Sequence, residues 1–287
     1  MAALLALLSS ALWGTSDFLG GTASRRIPAT SVLGVSQLVA LLGLVPLAAV
    51  LGAFDEPPSY VLPAVAAGLT GVVTLGCFYR ALAIGTMGVV APVASLGVVV
   101  PVVLGLVQGE RPGPLVLAGM ALAIVGVVLA SGPELSGGGR GGAQALVLAG
   151  VAAVGFGAVL ALIAEGSGGE DGTLSAVVMV LLTMRLVSVL ALSGVWLALR
   201  RLRGAGFGVG PGDVTLLVAI GVFDVGANGT YALASQSDLV SISAVLASLY
   251  PVVTVLLARR FHAERLVPVQ LVGVVLALTG VVLIAGG

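Results

Sequence analysis

Long apolar stretches, separated by short polar breaks, run through the whole of this 287-residue chain. A helix needs roughly 20 mostly apolar residues to cross a bilayer core of about 30 Å. The breaks are rich in Gly, Pro, Ser and charged residues, as in Phe54-Asp55-Glu56-Pro57-Pro58. The pattern predicts ten membrane-spanning helices, over residues 2–22, 30–52, 60–83, 86–108, 113–131, 144–165, 173–199, 213–234, 239–260 and 266–286.

The apolar stretches indicate helices rather than strands. Transmembrane strands alternate apolar and polar residues with a period of two, whereas residues 98–104 read Val-Val-Val-Pro-Val-Val-Leu. In lipid, only a helix pairs the backbone groups of such a segment within the segment itself. The predicted fold class is therefore an all-α integral membrane protein. The first stretch has no basic region before it, so we expect a retained helix rather than a signal peptide.

The sequence repeats itself after about half its length. Residues 110–132 and 264–286 align without gaps and share Glu-Arg, one Pro and Gly-Val-Val-Leu at identical spacing. Further matches lie upstream: Trp13-Gly14 with Phe156-Gly157, Gln37-Leu38-Val39 with Arg185-Leu186-Val187, Gly68 with Gly221, Gly76 with Gly229, and Ala94-Ser95-Leu96 with Ala247-Ser248-Leu249. We therefore predict a first repeat over 1–132, a Gly-rich linker over 133–142 and a second repeat over 143–287.

The number of helices in each repeat predicts how the two repeats are oriented. Five helices are an odd number, so the second repeat must enter the membrane from the opposite face. Inverted repeats of this kind recur in transporters, where the substrate site lies near the membrane midplane between the halves.

Composition is consistent with lipid as the main solvent and excludes several classes of function. Hydrophobic residues make up 59% of the chain and charged residues 8%, against about 25% charged in soluble proteins. The net charge of zero gives no electrostatic case for a nucleic-acid partner. The sequence contains no lysine, so it has no nucleotide-binding P-loop. The single Cys77 and the single His262 offer no metal ligand set or catalytic cluster, and we predict neither an enzyme nor a cofactor.

Several motifs resemble those of the EamA family of the drug/metabolite transporter superfamily. They are Trp13-Gly14 with the following Thr-Ser-Asp-Phe-Leu-Gly-Gly, Gly109-Glu110-Arg111, and Pro251 ahead of Ala263-Glu264-Arg265. The resemblance covers nearly the whole chain and implies two five-helix units that transport small organic solutes, often outwards, across the bacterial inner membrane. It fixes no substrate, since family members handle amino acids, sugars, nucleotides and drugs. This chain departs from the family in having Gln37 where an arginine is common, with Arg185 at the matching place.

Three ionisable residues lie well inside predicted helices: Asp17, Arg185 and Asp224. A charge at a helix centre costs roughly 2.5–3.5 kcal/mol on insertion scales, so such residues usually face the bundle interior and find partners. We predict a central substrate-binding cavity lined by these residues and by polar or aromatic neighbours, namely Trp13, Asp17, Gln37, Arg185, Asp224, Asn228, Tyr231 and Tyr250.

Two interpretations of the intramembrane charges remain open. If Arg185 neutralises one aspartate, one negative charge remains in the cavity and suits a cationic or zwitterionic solute. A desolvated carboxylate there can also exchange protons, so protons are a candidate coupling ion. Alternatively, Arg185 and one aspartate form a buried ion pair that only fixes the packing of the helices.

The inverted repeat and the intramembrane charges favour a secondary active transporter that works by alternating access in the lipid bilayer, and the family resemblance implies that it exports a small organic metabolite. The alternatives are a lipid-linked sugar flippase and a channel-like facilitator of the same fold. A flippase needs a basic site for phosphate, for which one central arginine is thin support. Monomer and homodimer both remain open, although one chain that carries both halves needs no partner to complete the site.

Arginines are distributed unevenly among the predicted loops. Loops after even-numbered predicted helices hold only Arg111, whereas those after odd-numbered ones hold Arg25, Arg26, Arg140, Arg200, Arg201, Arg203, Arg259, Arg260 and Arg265. Cytoplasmic loops collect basic residues, so we predict that the odd loops are cytoplasmic and that both termini are external. This orientation conflicts with the cytoplasmic termini that many relatives are thought to have.

Overall fold

A computed structural model describes residues 1–85, 87–130, 142–168, 172–203, 208–236, 240–262 and 268–286, and its regular structure in these ranges is helical. The predicted linker over 133–142 lies outside the described residues except for Gly142. In the described ranges the α-helices are α1 Ala2–Ser24, α2 Ala29–Val50, α3 Val61–Ile84, α4 Met87–Ser95, α5 Val99–Val107, α6 Pro114–Ala130, α7 Gly142–Gly166, α8 Leu174–Arg203, α9 Val214–Ala234, α10 Val240–Ala247, α11 Tyr250–His262 and α12 Pro268–Gly286.

The helices have the length and surface of membrane spans. Seven in the described ranges are long and apolar enough to cross a membrane: Ala2–Ser24, Ala29–Val50, Pro58–Ile84, Ala143–Gly166, Leu174–Arg201, Pro211–Ala234 and Val240–Phe261. Shorter apolar helices cover Val93–Val107 and Pro114–Gly126. Large apolar side chains such as Leu42, Leu62 and Val154 point outward, 63%, 79% and 69% exposed. Such a surface requires lipid, so the chain is a multi-pass membrane protein that matches the predicted ten-helix fold.

The fourth and ninth predicted helices are each interrupted. A turn of 3-10 helix, Leu96–Val98, separates α4 from α5, and a two-residue turn separates α10 from α11. Proline contributes to both breaks, because Pro101 and Pro251 lack the N–H that would bond to the carbonyl groups of Gly97 and Ala247. The interruptions occur where other helices cover the backbone, which is where lipid allows them.

Helices of the two repeats pack in matched pairs around a pseudo-two-fold axis. The contact of α1 with α9 corresponds to that of α7 with α3, while α2 meets α8 and α6 meets α12 across the axis. A Cβ atom added to Gly68 would lie 2.8 Å from the carbonyl oxygen of Met184, and one added to Gly221 would lie 2.5 Å from that of Ser36. Met184 and Ser36 are equivalent in the repeat alignment, so the same glycine-dependent crossing is made twice.

A second matched pair of close contacts joins the interrupted helices to α1 and α7. A Cβ atom on Gly14 would lie 2.5 Å from the carbonyl oxygen of Tyr250, and one on Gly157 would lie 2.3 Å from that of Gly97. Tyr250 and Gly97 each follow the repeated Ala-Ser-Leu motif. Matched contacts of this kind follow from two inverted five-helix repeats.

Polar contacts at the helix ends define two faces of the molecule. After α1, Arg26 forms an ion pair of 2.5 Å with Asp213, which precedes α9. We call this side, where odd-numbered predicted helices end, the odd-loop face. On the opposite side, the even-loop face, the Thr173 hydroxyl donates to Glu56 at 3.1 Å, and the side-chain amide of Gln236 donates to a carbonyl group of the α7–α8 loop.

Candidate functional site

A cavity lies between the two repeats, near the middle of the membrane-spanning helices. Trp13 and Asp224 lie about 15–17 Å from either end of their own helices, at 1.5 Å per residue. The walls come from both repeats, including α1, α2 and α3 of the first and α7, α8 and α9 of the second. The space in which the centre of a water-sized molecule can move is about 50 Å³, so the cavity has room for more than one water molecule.

Most of the predicted site residues line this cavity. They are Trp13, Asp17, Gln37, Arg185, Asp224, Asn228 and Tyr250. Tyr231 is the exception: contrary to the prediction, it does not line the cavity. Its ring lies behind Trp13, with ring centroids 5.9 Å apart, and its hydroxyl donates to the carbonyl oxygen of Leu160 at 3.2 Å. Tyr231 therefore supports the wall of the cavity from outside, because the larger indole ring covers it.

Arg185 is the centre of a buried polar network. Its Nη2 lies 2.9 Å from Oδ2 of Asp224, and its Nη1 donates to Oε1 of Gln37 at 2.5 Å. Asn228 donates to Oδ1 of the same aspartate at 3.1 Å. The arginine is only 1% exposed. Because Gln37 and Arg185 are repeat counterparts, the two equivalent positions meet each other at the axis and connect α2, α8 and α9.

Asp17 differs from Asp224 in its surroundings. It is 5% exposed and lines the cavity, yet no described residue forms a hydrogen bond or an ion pair with its carboxylate. Together with the Arg185–Asp224 pair, it gives the lining one formal negative charge. In the described part of the chain, no group of three or more His, Cys, Asp or Glu side chains is placed to hold a metal ion.

Aromatic rings cluster around Tyr250 at one side of the cavity. The ring centroids of Phe156, Phe78 and Trp13 lie 6.3, 6.5 and 6.5 Å from that of Tyr250. The Tyr250 hydroxyl is buried and has no hydrogen-bond partner among the described residues, and the same holds for Nε of Arg185. Buried polar atoms normally find a partner, so a bound solute is a natural partner for these two groups.

Sequence reasoning missed the apolar part of the lining. It is formed by Gly71, Val72, Leu75, Phe156, Val159 and Leu160, among other residues. These residue types occur throughout the chain and carry no signal of their own. The repeat alignment does carry a signal for Phe156, because it makes this residue the counterpart of Trp13.

Glu110, in the Gly-Glu-Arg motif, lies outside the cavity lining. Its carboxylate accepts hydrogen bonds from the backbone N–H of Ser241, at 3.3 and 3.4 Å, and from the Ser241 hydroxyl. This contact places a negative charge at the N-terminus of α10, which the helix dipole favours. The carboxylate also packs on Gly105, where an added Cβ atom would lie 2.6 Å away. The motif therefore ties the end of α5 in the first repeat to the start of α10 in the second.

The fold and the cavity together define a class of protein, in which two inverted five-helix repeats enclose a charged site near the membrane midplane. Secondary transporters have this architecture. The model of the EamA-like transporter family matches residues 1–132 and 143–286. The chain belongs to the EamA-like transporter family, as its motifs indicated.

Comparison with solved structures gives 28 matching chains. One of them, a crystal structure, aligns over 98% of this chain and 95% of its own, with a TM-score of 0.71 at 19% sequence identity. At this identity the similarity establishes a shared fold. Comparison with curated protein sequences gives no significant match.

Proposed function

We propose that this protein is a secondary active transporter that exports a small organic metabolite across the bacterial inner membrane by alternating access. The observation that carries the proposal is the small cavity with buried charges between the two inverted halves. A site shared by inverted repeats opens to one face and then to the other when the halves move relative to each other. Membership of a transporter family supports transport rather than catalysis as the activity.

Contacts between the repeats on both sides of the cavity support such a cycle. Towards the even-loop face, Trp13 packs against Tyr231 and Glu110 binds Ser241. Towards the odd-loop face, the ring of Phe78 lies 5.1 Å from that of Phe156. Each contact joins one repeat to the other on one side only. Separating one set while the other stays closed opens the cavity to a single face.

A counterflow experiment tests transport by a carrier. Liposomes containing the full-length protein are loaded with one unlabelled solute and diluted into a trace of the same solute in labelled form. The panel consists of amines, quaternary ammoniums, amino acids, sugars and nucleosides. An alternating-access carrier should accumulate the labelled solute inside the liposomes transiently. The reason is that, after it releases unlabelled solute outside, it returns with solute bound more often than empty. Equilibration without transient accumulation would contradict the proposal and indicate a channel-like facilitator.

The same liposomes test proton coupling and the flippase alternative. Because Asp17 lines the cavity without a partner, we propose that it exchanges a proton for the solute. With a pH dye in the lumen, solute movement should drive protons in the opposite direction, and Asp17→Asn should abolish the proton signal. A solute flux that moves no protons would exclude proton coupling through Asp17.

The flippase alternative predicts a different result in these liposomes. Translocation of a labelled polyprenyl-phosphate sugar, with no soluble solute carried, would point to a flippase.

We further propose that the odd-loop face is cytoplasmic and both termini are external, since the basic residues gather on that face. Alkaline phosphatase, which is active only outside the cytoplasm, should be active when fused after Gly287. Green fluorescent protein at the same position should be dark, and should fluoresce when fused after Gly138 in the odd loop between the repeats. Fluorescence of the C-terminal fusion would reverse the orientation.

A further inference from the structure

The cavity has a polar side and an apolar side, related by the pseudo-two-fold axis. The repeat alignment of α1 with α7 makes Leu160 the counterpart of Asp17, and that of α3 with α9 makes Gly71 the counterpart of Asp224. All four residues line the cavity. Both acidic residues therefore belong to the packed pair of α1 and α9, while the equivalent pair of α7 and α3 presents an aliphatic side chain and a glycine.

The apolar side offers space as well as apolar walls. A Cβ atom added to Gly71 would meet no other atom within 4 Å. Leu75, Phe156 and Leu160 line the cavity on the same pair of helices. Apolar groups of a ligand gain about 25 cal/mol for each Å² that they remove from water, so this side favours a hydrocarbon or aromatic body.

The polar side presents a carboxyl group and a hydroxyl group that form no contact with other polar groups of the described residues. Asp17 has no ion-pair partner among the described residues, and the buried hydroxyl of Tyr250 has no hydrogen-bond partner there. The face of an aromatic ring such as that of Trp13 also attracts cations. The charge of Arg185 is already paired with that of Asp224, and its Nη1 donates to Gln37, so Arg185 adds no net positive charge that would attract a substrate carboxylate or phosphate.

We propose that the cavity binds an amphiphilic organic cation. Its ammonium group lies at Asp17, and its apolar body lies on the side of Gly71 and Leu160. A zwitterion fits less well, because Arg185, the cation of the described lining, is already paired with Asp224, and the zwitterion's carboxylate would have no cation to pair with. That this cation is the transported solute rests on the proposed function, whereas binding of the cation can be measured without transport.

Four small molecules serve as probes of the two sides of the cavity: a reference compound and three others that each differ from it in one group. Their binding to the full-length protein in detergent is measured by calorimetry and by thermal stabilisation. The reference is 2-phenylethylamine. Phenylalanine adds a carboxylate, 2-phenylethanol replaces the ammonium by a hydroxyl, and methylamine lacks the apolar body. We expect 2-phenylethylamine to bind roughly 10-fold or more tightly than each of the other three.

Two variants assign the two ends of the probe. Asp17→Asn should weaken binding of 2-phenylethylamine roughly 30-fold or more, with Asp17→Glu retaining most of the affinity. Gly71→Leu should fill the apolar side, weakening 2-phenylethylamine while leaving methylamine unchanged. Asp55→Asn, at an exposed position at the end of the short 3-10 helix Ala53–Asp55, is the matched control and should bind every probe as the unchanged protein does.

Each outcome decides for or against the inference. Equal binding of the amine and the alcohol, tighter binding of phenylalanine, or unchanged binding by Asp17→Asn would overturn it. Failure of all four probes to bind would also overturn it. The counterflow experiment separates this inference from the proposed function. Amine binding without counterflow would refute the transporter and leave the cation site. Counterflow of another solute without amine binding would refute the cation site and leave the transporter.

Discussion

Replacing Arg185 with methionine should lower the free energy of unfolding by about 3–5 kcal/mol. The substitution keeps most of the side-chain stem but removes the guanidinium group that lies 2.9 Å from Asp224. It leaves a carboxylate and the amide oxygen of Gln37 buried near the membrane midplane without their shared donor. Equilibrium unfolding in mixed micelles measures the loss, and a fall in melting temperature should accompany it.

A second substitution separates the loss of the charge pair from general damage to the helix. Arg185→Met combined with Asp224→Asn should recover most of the stability, because the double variant contains no unpaired charge from this pair. Asp17→Asn should cost little stability by itself, since no described residue is bound to its carboxylate. If Arg185→Met unfolded like the unchanged protein, the network would not be buried as described, and the arginine would be free to contact the substrate.

Replacing Gly157 with alanine should also destabilise the protein and abolish counterflow. The new Cβ atom would lie 2.3 Å from the carbonyl oxygen of Gly97 and 2.7 Å from side-chain atoms of Val100. Overpacking typically costs about 1–3 kcal/mol and occasionally more, and here one of the atoms that must move belongs to the backbone. The displacement of α7 would carry Phe156 away from its place in the cavity wall.

The same helix supplies the matched control for this prediction. An added Cβ atom at Gly150 meets no atom within 4 Å, so Gly150→Ala should be neutral or should stabilise the helix by up to about 1 kcal/mol. Gly14→Ala, at the equivalent position of the first repeat, should resemble Gly157→Ala. Equal melting temperatures for the Gly150 and Gly157 variants would refute the close approach of α7 to the interrupted helix.

The helical segments were predictable because lipid imposes both a minimum length and an apolar composition on every span. The repeat was predictable because close helix crossings keep glycines such as Gly68 and Gly221 at fixed spacing. The interruptions between α4 and α5 and between α10 and α11 were not located by this reasoning. A proline indicates where a kink is allowed, but the packing of neighbouring helices decides where the helix actually ends.

The charged part of the candidate site could be predicted for a different reason. Ionisable residues are rare within apolar helices, so Asp17, Arg185 and Asp224 stand out in the sequence. Which aspartate pairs with the arginine depends on distances between helices, and the sequence left that question open. Tyr231 was misplaced because helical spacing gives the face of a helix but does not reveal that the Trp13 ring covers it.

The pseudo-two-fold arrangement restricts what a simpler ancestor of this molecule could recognise. A pair of identical five-helix proteins, inserted in opposite directions, would present every cavity residue twice and could hold only an even number of charges. Fusion of two copies in one chain removes that restriction, since each copy then mutates independently. The paired glycines Gly14 and Gly157 can preserve the shared architecture while Asp17 and Leu160 diverge. Fusion thus allows the selectivity of the cavity to evolve without loss of the fold.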